Sequence, residues 1–146
     1  MKVRYGIACV LLSVLGACGA DPCGDVPMSD SPTAPRIENI DLVEQLPGDP
    51  WQLIFALQFS DSDGDLSPGN VSLFLNRIND PVVFALSDLF LQSGVPLDAG
   101  AGTIVVAPRF AETVDDGAKV WLGMQLEDAA DQRSNCYGVK LRFDVD

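Results

Sequence analysis

The residues best suited to chemistry lie in one short run, Asp61-Ser62-Asp63-Gly64-Asp65. Alternating carboxylates suit a hard cation such as calcium, which takes oxygen ligands. Gly64 allows the sharp turn that lets three carboxylates converge. A second acidic turn carries Asp128 and Asp131. If the fold brings the two turns to one end, Asp61, Asp63, Asp65, Asp128 and Asp131 form the expected cation set. A plain solvated turn has the same composition, because Asp and Gly are favoured in turns for backbone reasons alone.

Catalytic chemistry finds little support. The chain has no His, the usual group for proton transfer near neutral pH. It has neither a Gly-x-Ser-x-Gly elbow nor a Gly-x-x-x-x-Gly-Lys phosphate loop. Paired carboxylates can hydrolyse glycosides, but in so acidic a chain a pair within range carries no information. No catalytic residue is assigned, and a non-enzyme is expected.

The acidic run resembles the start of an EF-hand loop, Asp-x-Asp-x-Asp. The resemblance stops there. The sixth and twelfth positions, which that loop fills with Gly and Glu, hold Leu66 and Ser72. A looser calcium site is what remains.

The formal net charge is -12 over 146 residues. Such a surface repels polyanions, since nucleic-acid binding depends on Lys and Arg neutralising phosphates. No nucleic-acid partner is expected. Hydrophobic residues make up 47% of the chain, enough for a packed core in one domain.

The elements that must position these acids read as strands. Trp51, Leu53, Phe55, Leu57 and Phe59 alternate with residues that include Gln52 and Gln58. Val120, Leu122, Met124 and Leu126 alternate within Lys119 to Glu127. Tyr137, Val139, Leu141, Phe143 and Val145 alternate with Lys140, Arg142 and Asp144. Period two puts one face in a core and one towards water. Shorter alternations run through Arg36 to Val43, Val71 to Arg77, Pro81 to Leu86 and Thr103 to Phe110. No helix is expected. The ambiguous stretch is Val82 to Gln92, where Leu86, Leu89 and Phe90 would also line a helical turn. Phe84 and Leu89 to Leu91 read as core, or as a partner patch if exposed.

About seven strands in about 110 residues fit an all-β, antiparallel Ig-like β-sandwich. The segment from Glu127 through Gln132-Arg133-Ser134-Asn135 resembles the closing hairpin of bacterial Ig-like and cadherin-like domains, without their usual Gly. That resemblance implies a module that binds, spaces or displays, with acidic calcium loops at one end of the domain.

The N-terminus reads as an address. Lys2 and Arg4 precede the uncharged, apolar Ile7 to Leu15, which is too short to span a bilayer. Leu15-Gly16-Ala17-Cys18 resembles the lipobox of bacterial lipoproteins. The resemblance implies removal of residues 1–17 as a signal peptide, lipidation of Cys18 and an anchor in the cell envelope. Gly19, where Asp would favour inner-membrane retention, implies the outer membrane. Cleavage after Ala20 would instead give a secreted protein, and retention of the segment an uncleaved anchor. Residues 18–35 hold Pro22, Pro27, Pro32 and Pro35 among small polar residues, so a flexible tether is expected before a domain at 36–146.

With Cys9 removed and Cys18 acylated, Cys23 and Cys136 remain. In an oxidising compartment a disulfide between them is expected. Two free thiols or an intermolecular bond are the alternatives. The expected partners are the membrane, through the anchor, and an envelope protein or glycan. The expected role is a non-catalytic binding or display module, or else an accessory subunit or spacer of an envelope assembly.

Overall fold

The computed structural model describes residues 2–5, 22–46, 48–75, 77–110, 117 and 119–144. Ile7 to Leu15, Cys9 and the lipobox Leu15 to Cys18 lie outside these residues. Among the described residues no helix is long and apolar enough to cross a membrane.

In chain order the elements are β1 (Lys2–Tyr5), β2 (Arg36–Leu46), β3 (Asp49–Ser60), β4 (Asn70–Leu75), β5 (Arg77–Ala85), α1 (Leu86–Ser93), β6 (Ala101–Val106), β7 (Lys119–Glu127) and β8 (Tyr137–Asp144). They form an antiparallel five-stranded sheet, β1-β8-β7-β4-β5, facing a three-stranded sheet, β2-β3-β6. Setting β1 aside, the seven remaining strands coincide with the seven alternating segments. The chain is an Ig-like β-sandwich.

Period two does what it should. Leu53, Phe55, Leu57 and Phe59 of β3 are buried, and so are Val120, Leu122, Met124 and Leu126 of β7. They meet Ile37, Ile40, Ile104, Val106, Val139 and Leu141 in one core. Burying a side chain of this kind stabilises by roughly 1.5–3 kcal/mol, which is why the pleat sets the register.

The expectation of no helix is corrected at Leu86–Ser93. Leu86, Leu89 and Phe90 face the core at helical spacing, and the Phe90 ring sits 5.1 Å from Phe59. The helix closes where the Gly94 N–H donates to the Leu91 carbonyl and the Val95 N–H to that of Phe90. The apolar run is core as expected, except for Leu91, which is 67% exposed.

The segment read as a flexible tether is also different over its described part. From Pro22 onward it is a strap laid on the five-stranded sheet. The Gln125 side-chain amide donates to the Pro27 carbonyl at 2.7 Å. The Ser29 N–H donates to the Arg133 carbonyl at 3.0 Å, and the Arg133 N–H to Ser29 Oγ at 2.8 Å. Thr33 Oγ1 donates to Gln132 Oε1 at 3.0 Å. Composition pointed to a linker because these partners are about a hundred residues away in sequence, where no local pattern reaches.

Cys23 and Cys136 form a disulfide. It lies over Gly123 of β7, where an added Cβ would come within 3.0 Å of Pro22 Cγ and 3.1–3.2 Å of both sulfurs. The bridge closes a loop between residues 113 apart. In the chain-entropy account a loop of that size stabilises by roughly 4–5 kcal/mol. Replacing both cysteines (Cys23→Ser with Cys136→Ser) is expected to lower unfolding free energy by about 4 kcal/mol, read from urea denaturation, with a steeper slope because the uncrosslinked unfolded chain exposes more surface.

Candidate metal centre

Five chain segments meet at one end of the sandwich. Register places Ser60 opposite both Arg36 and Ala101, and Asn70 opposite Glu127. The β3–β4 turn, the α1–β6 loop and the β7–β8 turn therefore project from the same rim.

Close backbone approaches fix the turns against each other. A Cβ on Gly69 would collide with the Glu127 carbonyl oxygen. Only glycine lets the end of the β3–β4 turn press onto the end of β7. The Ala129 N–H donates to the Asp65 carbonyl at 3.2 Å, tying the two acidic turns together directly. On the other side, the Asp61 N–H donates to the Gly100 carbonyl at 2.8 Å. Gly64 takes a positive φ of 68°, the sharp turn expected of it, with the Asp98 carbonyl packed against it. The α1–β6 loop is thus part of the site's frame, a role its Gly-rich sequence did not signal.

The result is convergence of Asp61, Asp63, Asp65 and Asp128, each offering an oxygen within 4.8 Å of the others. Asp61 is 1% exposed and Asp128 3%. Both carboxylate oxygens of Asp61, Oδ1 of Asp65 and Oδ2 of Asp128 are buried without a hydrogen-bond partner. Asp128 is aimed by its own turn. Its Oδ1 accepts the N–H groups of Ala130 and Gln132, both at 2.9 Å, which leaves Oδ2 for the cluster.

Asp131 does not join them. It is exposed, lies in the left-handed region at φ 59°, and donates its N–H to the Asp128 carbonyl at 3.2 Å. Its place is in the turn that orients Asp128. The sequence put both acids in the set because it could not tell which way the turn faces.

Four converging acids do not sit comfortably alone. Burial, followed by the neighbouring Asp63 and Asp65 carboxylates, pushes Asp61 up to about 7. Burial, followed by Asp63 and Asp128, raises Asp65 as well. A buried carboxylate normally has a hydrogen bond or a countercharge, since an unpaired one is costly. The donor set is all oxygen and clustered on short turns, with Asp63 exposed to solvent. It fits calcium, which takes carboxylates and carbonyls in flexible geometry, better than a soft transition metal.

Asn135 and Ser134 hold the hairpin that carries Asp128. Asn135 Oδ1 accepts the Ile37 N–H at 2.9 Å, and its Nδ2 donates to the Ile37 carbonyl at 3.1 Å. Ser134, fully buried, accepts the Leu126 N–H on Oγ at 2.8 Å. The Gln132 to Asn135 run that resembled an Ig-like closing hairpin therefore clamps β2 to the β7–β8 turn. Beside the acids lies a cleft of about 330 Å³ of mixed lining, with Ser29, Arg36, Ser60, Ser62 and Asn135 but also Met28, Pro32 and Pro35 among its walls.

No family model and no curated protein matches this chain. Among solved structures it is similar to a Niemann-Pick type C2 protein from the Japanese carpenter ant. The two share the β-sandwich fold. The TM-score is 0.51 at 13% sequence identity, over 82% of this chain and 100% of that one. At that identity the likeness speaks for architecture alone.

Calcium is expected to raise the melting temperature relative to chelator-treated protein. Asp61→Asn should abolish that response while leaving the chelated protein as stable or more so, because it removes a repelled buried charge. The pH dependence has a fixed sign. A carboxyl raised from 3.8 to about 7 in the folded state stabilises the metal-free protein at low pH, and that contribution is lost as pH rises through about 7. The calcium-induced increment in melting temperature should therefore grow between about pH 5.5 and about pH 8.

Proposed function

We propose that this chain is a bacterial envelope lipoprotein, anchored through Cys18, whose Ig-like sandwich is a non-catalytic binding or display module locked at one end by calcium. The observation that carries the module's reading is Asp61, buried with neither oxygen hydrogen-bonded and three more carboxylates converging on it. A cation there ties the β3–β4 and β7–β8 turns into one rigid surface. Rigid loops lose less freedom on binding a ligand, so a cation that relieves the repulsion among the acids adds to a face the backbone contacts already hold. The adjoining cleft is walled by hydroxyls, an amide and Arg36 as well as by Met28 and prolines, a mixed lining that suits a ligand with both polar groups and apolar faces, such as an envelope glycan. The lipobox Leu15-Gly16-Ala17-Cys18 supports the address. Loss of residues 1–17 removes Lys2 and Arg4 and takes the net charge from -12 to -14.

The accessory-subunit reading has one observation of its own. β1 pairs with β8 at Tyr5↔Leu141 through Lys2↔Asp144. In a chain cut before Cys18, β1 leaves with the signal and the outer edge of β8 opens. An open edge accepts a strand from a neighbouring protein.

Intact mass of the protein recovered from a bacterial membrane fraction tests the address. The expected mass begins at Cys18 and carries acyl chains. A mass beginning after Ala20 without lipid contradicts it and makes the module a secreted one. Mild crosslinking of the same fraction separates the two roles. A binding module is expected to stay monomeric without ligand, whereas an accessory subunit yields a fixed partner.

A further inference from the structure

The cleft beside the acids is out of character with its chain. The chain holds 21 Asp and Glu against nine Lys and Arg. Among the described residues no Asp or Glu lines the cleft, and Arg36 is the cation that does. Arg36 is exposed, and its Nε lies 3.9 Å from Glu38 Oε1. That oxygen already accepts the Ser60 hydroxyl at 2.7 Å. An exposed ion pair of such length is weak. The planar fork of donors on Arg36 is therefore left to bind a second carboxylate side by side.

Two hydroxyls of the cleft keep half of their bonding capacity. Ser29 Oγ accepts the Arg133 N–H at 2.8 Å, which leaves its hydrogen to donate. Ser62 Oγ donates to the Pro32 carbonyl at 3.4 Å, which leaves its lone pairs to accept. Met28, Pro32 and Pro35 supply apolar wall. A sugar unit presents the matching set: hydroxyls that donate and accept, and a ring whose C–H face is apolar. The volume of about 330 Å³ falls at the lower end of the roughly 300–1,000 Å³ of small-ligand sites. One wall is built in advance, since Ser29 and Thr33 are pinned to the β7–β8 turn at Arg133 and Gln132. A preformed wall needs little ordering when a ligand binds.

We infer that the cleft takes an acidic sugar, with Arg36 pairing its carboxylate and calcium in the neighbouring turn permitting its approach. The inference rests on the glycan-binding reading and narrows it by charge. Two cleft residues belong to the frame of the acidic cluster. Ser62 lies between Asp61 and Asp63, and the Gly100 carbonyl accepts the Asp61 N–H. Consecutive Cα atoms are about 3.8 Å apart. Those two acids therefore lie within about 10 Å of the cleft wall, the Debye length at 0.1 M salt. Without a cation the four converging carboxylates repel an incoming anion. Calcium cancels part of that charge. Anion and calcium then favour each other's binding, and the linkage is reciprocal. A neutral sugar feels no such repulsion.

The test uses the full-length protein at a pH above the raised Asp61 value. The probe is a tetrasaccharide of alternating glucuronate and N-acetylglucosamine, as the free acid and as its methyl ester. Calorimetry with saturating calcium is expected to give the acid an affinity about tenfold above the ester, the scale of one charged hydrogen-bonded pair. Arg36→Gln should bring the acid down to the ester, whereas Arg36→Lys should keep part of the difference. Arg36 is exposed, so both variants should melt as the unsubstituted protein does. In chelator-treated protein the acid should lose several-fold in affinity and the ester nothing. Equal affinities for acid and ester overturn the acidic class and leave the glycan reading standing. A difference that survives Arg36→Gln, or that chelation leaves unchanged, overturns the inference as well. Binding of neither form overturns both the inference and the glycan reading beneath it.

Discussion

A carboxylate with nothing to satisfy it is the constraint from which the loop end of this sandwich follows. Asp61 is buried by the packing of three loops, and the opposing contribution of the Asp65 backbone N–H is outweighed by burial and by the neighbouring acids. Removing the charge would be easy for a sequence, yet three further acids converge on the same point. The frame around them is specific. Gly69 lets backbone press on backbone, Gly100 holds the Asp61 N–H, and the Asp128 turn commits one oxygen so that the other faces inward. A frame that holds four carboxylates together against their repulsion makes physical sense around a cation of charge +2.

The second constraint is the Cys23–Cys136 bridge. It turns a proline-rich spacer into a strap, and so couples the chain's N-terminal approach to one face of one sheet. The strap holds the described residues from Pro22 onward against that sheet. The acidic turns lie at one end of the sandwich and the Lys119–Arg142 rung towards the other. In a chain this acidic, that division of charge is an asymmetry in space that net charge conceals.

Much of this was legible in the sequence. Strands follow from alternation, because a half-buried strand has only one way to place its apolar residues. The three acids of the β3–β4 turn were legible from their spacing, and Asp128 from the expectation that the two turns share an end. What was not legible depended on direction or distance. Asp131 and Asp128 are alike in sequence, and only the hydrogen bonding of their turn decides which faces inward. Leu86, Leu89 and Phe90 fit a strand end as well as a helical turn, and the need to cross from β5 to β6 over the core decides for the helix. The strap was hidden because its bonds to Gln125, Gln132 and Arg133 link residues 98 to 104 apart in sequence.

The central claim is that the carboxylates of Asp61, Asp63, Asp65 and Asp128 jointly hold one calcium ion. Calorimetric titration of chelator-stripped protein with calcium, at a pH above the raised Asp61 value, tests it most directly. The account predicts saturation at one ion per chain, with the heat abolished in the paired Asp61→Asn, Asp128→Asn variant. No saturable heat in the unsubstituted protein, or a heat that survives in that variant, would contradict it.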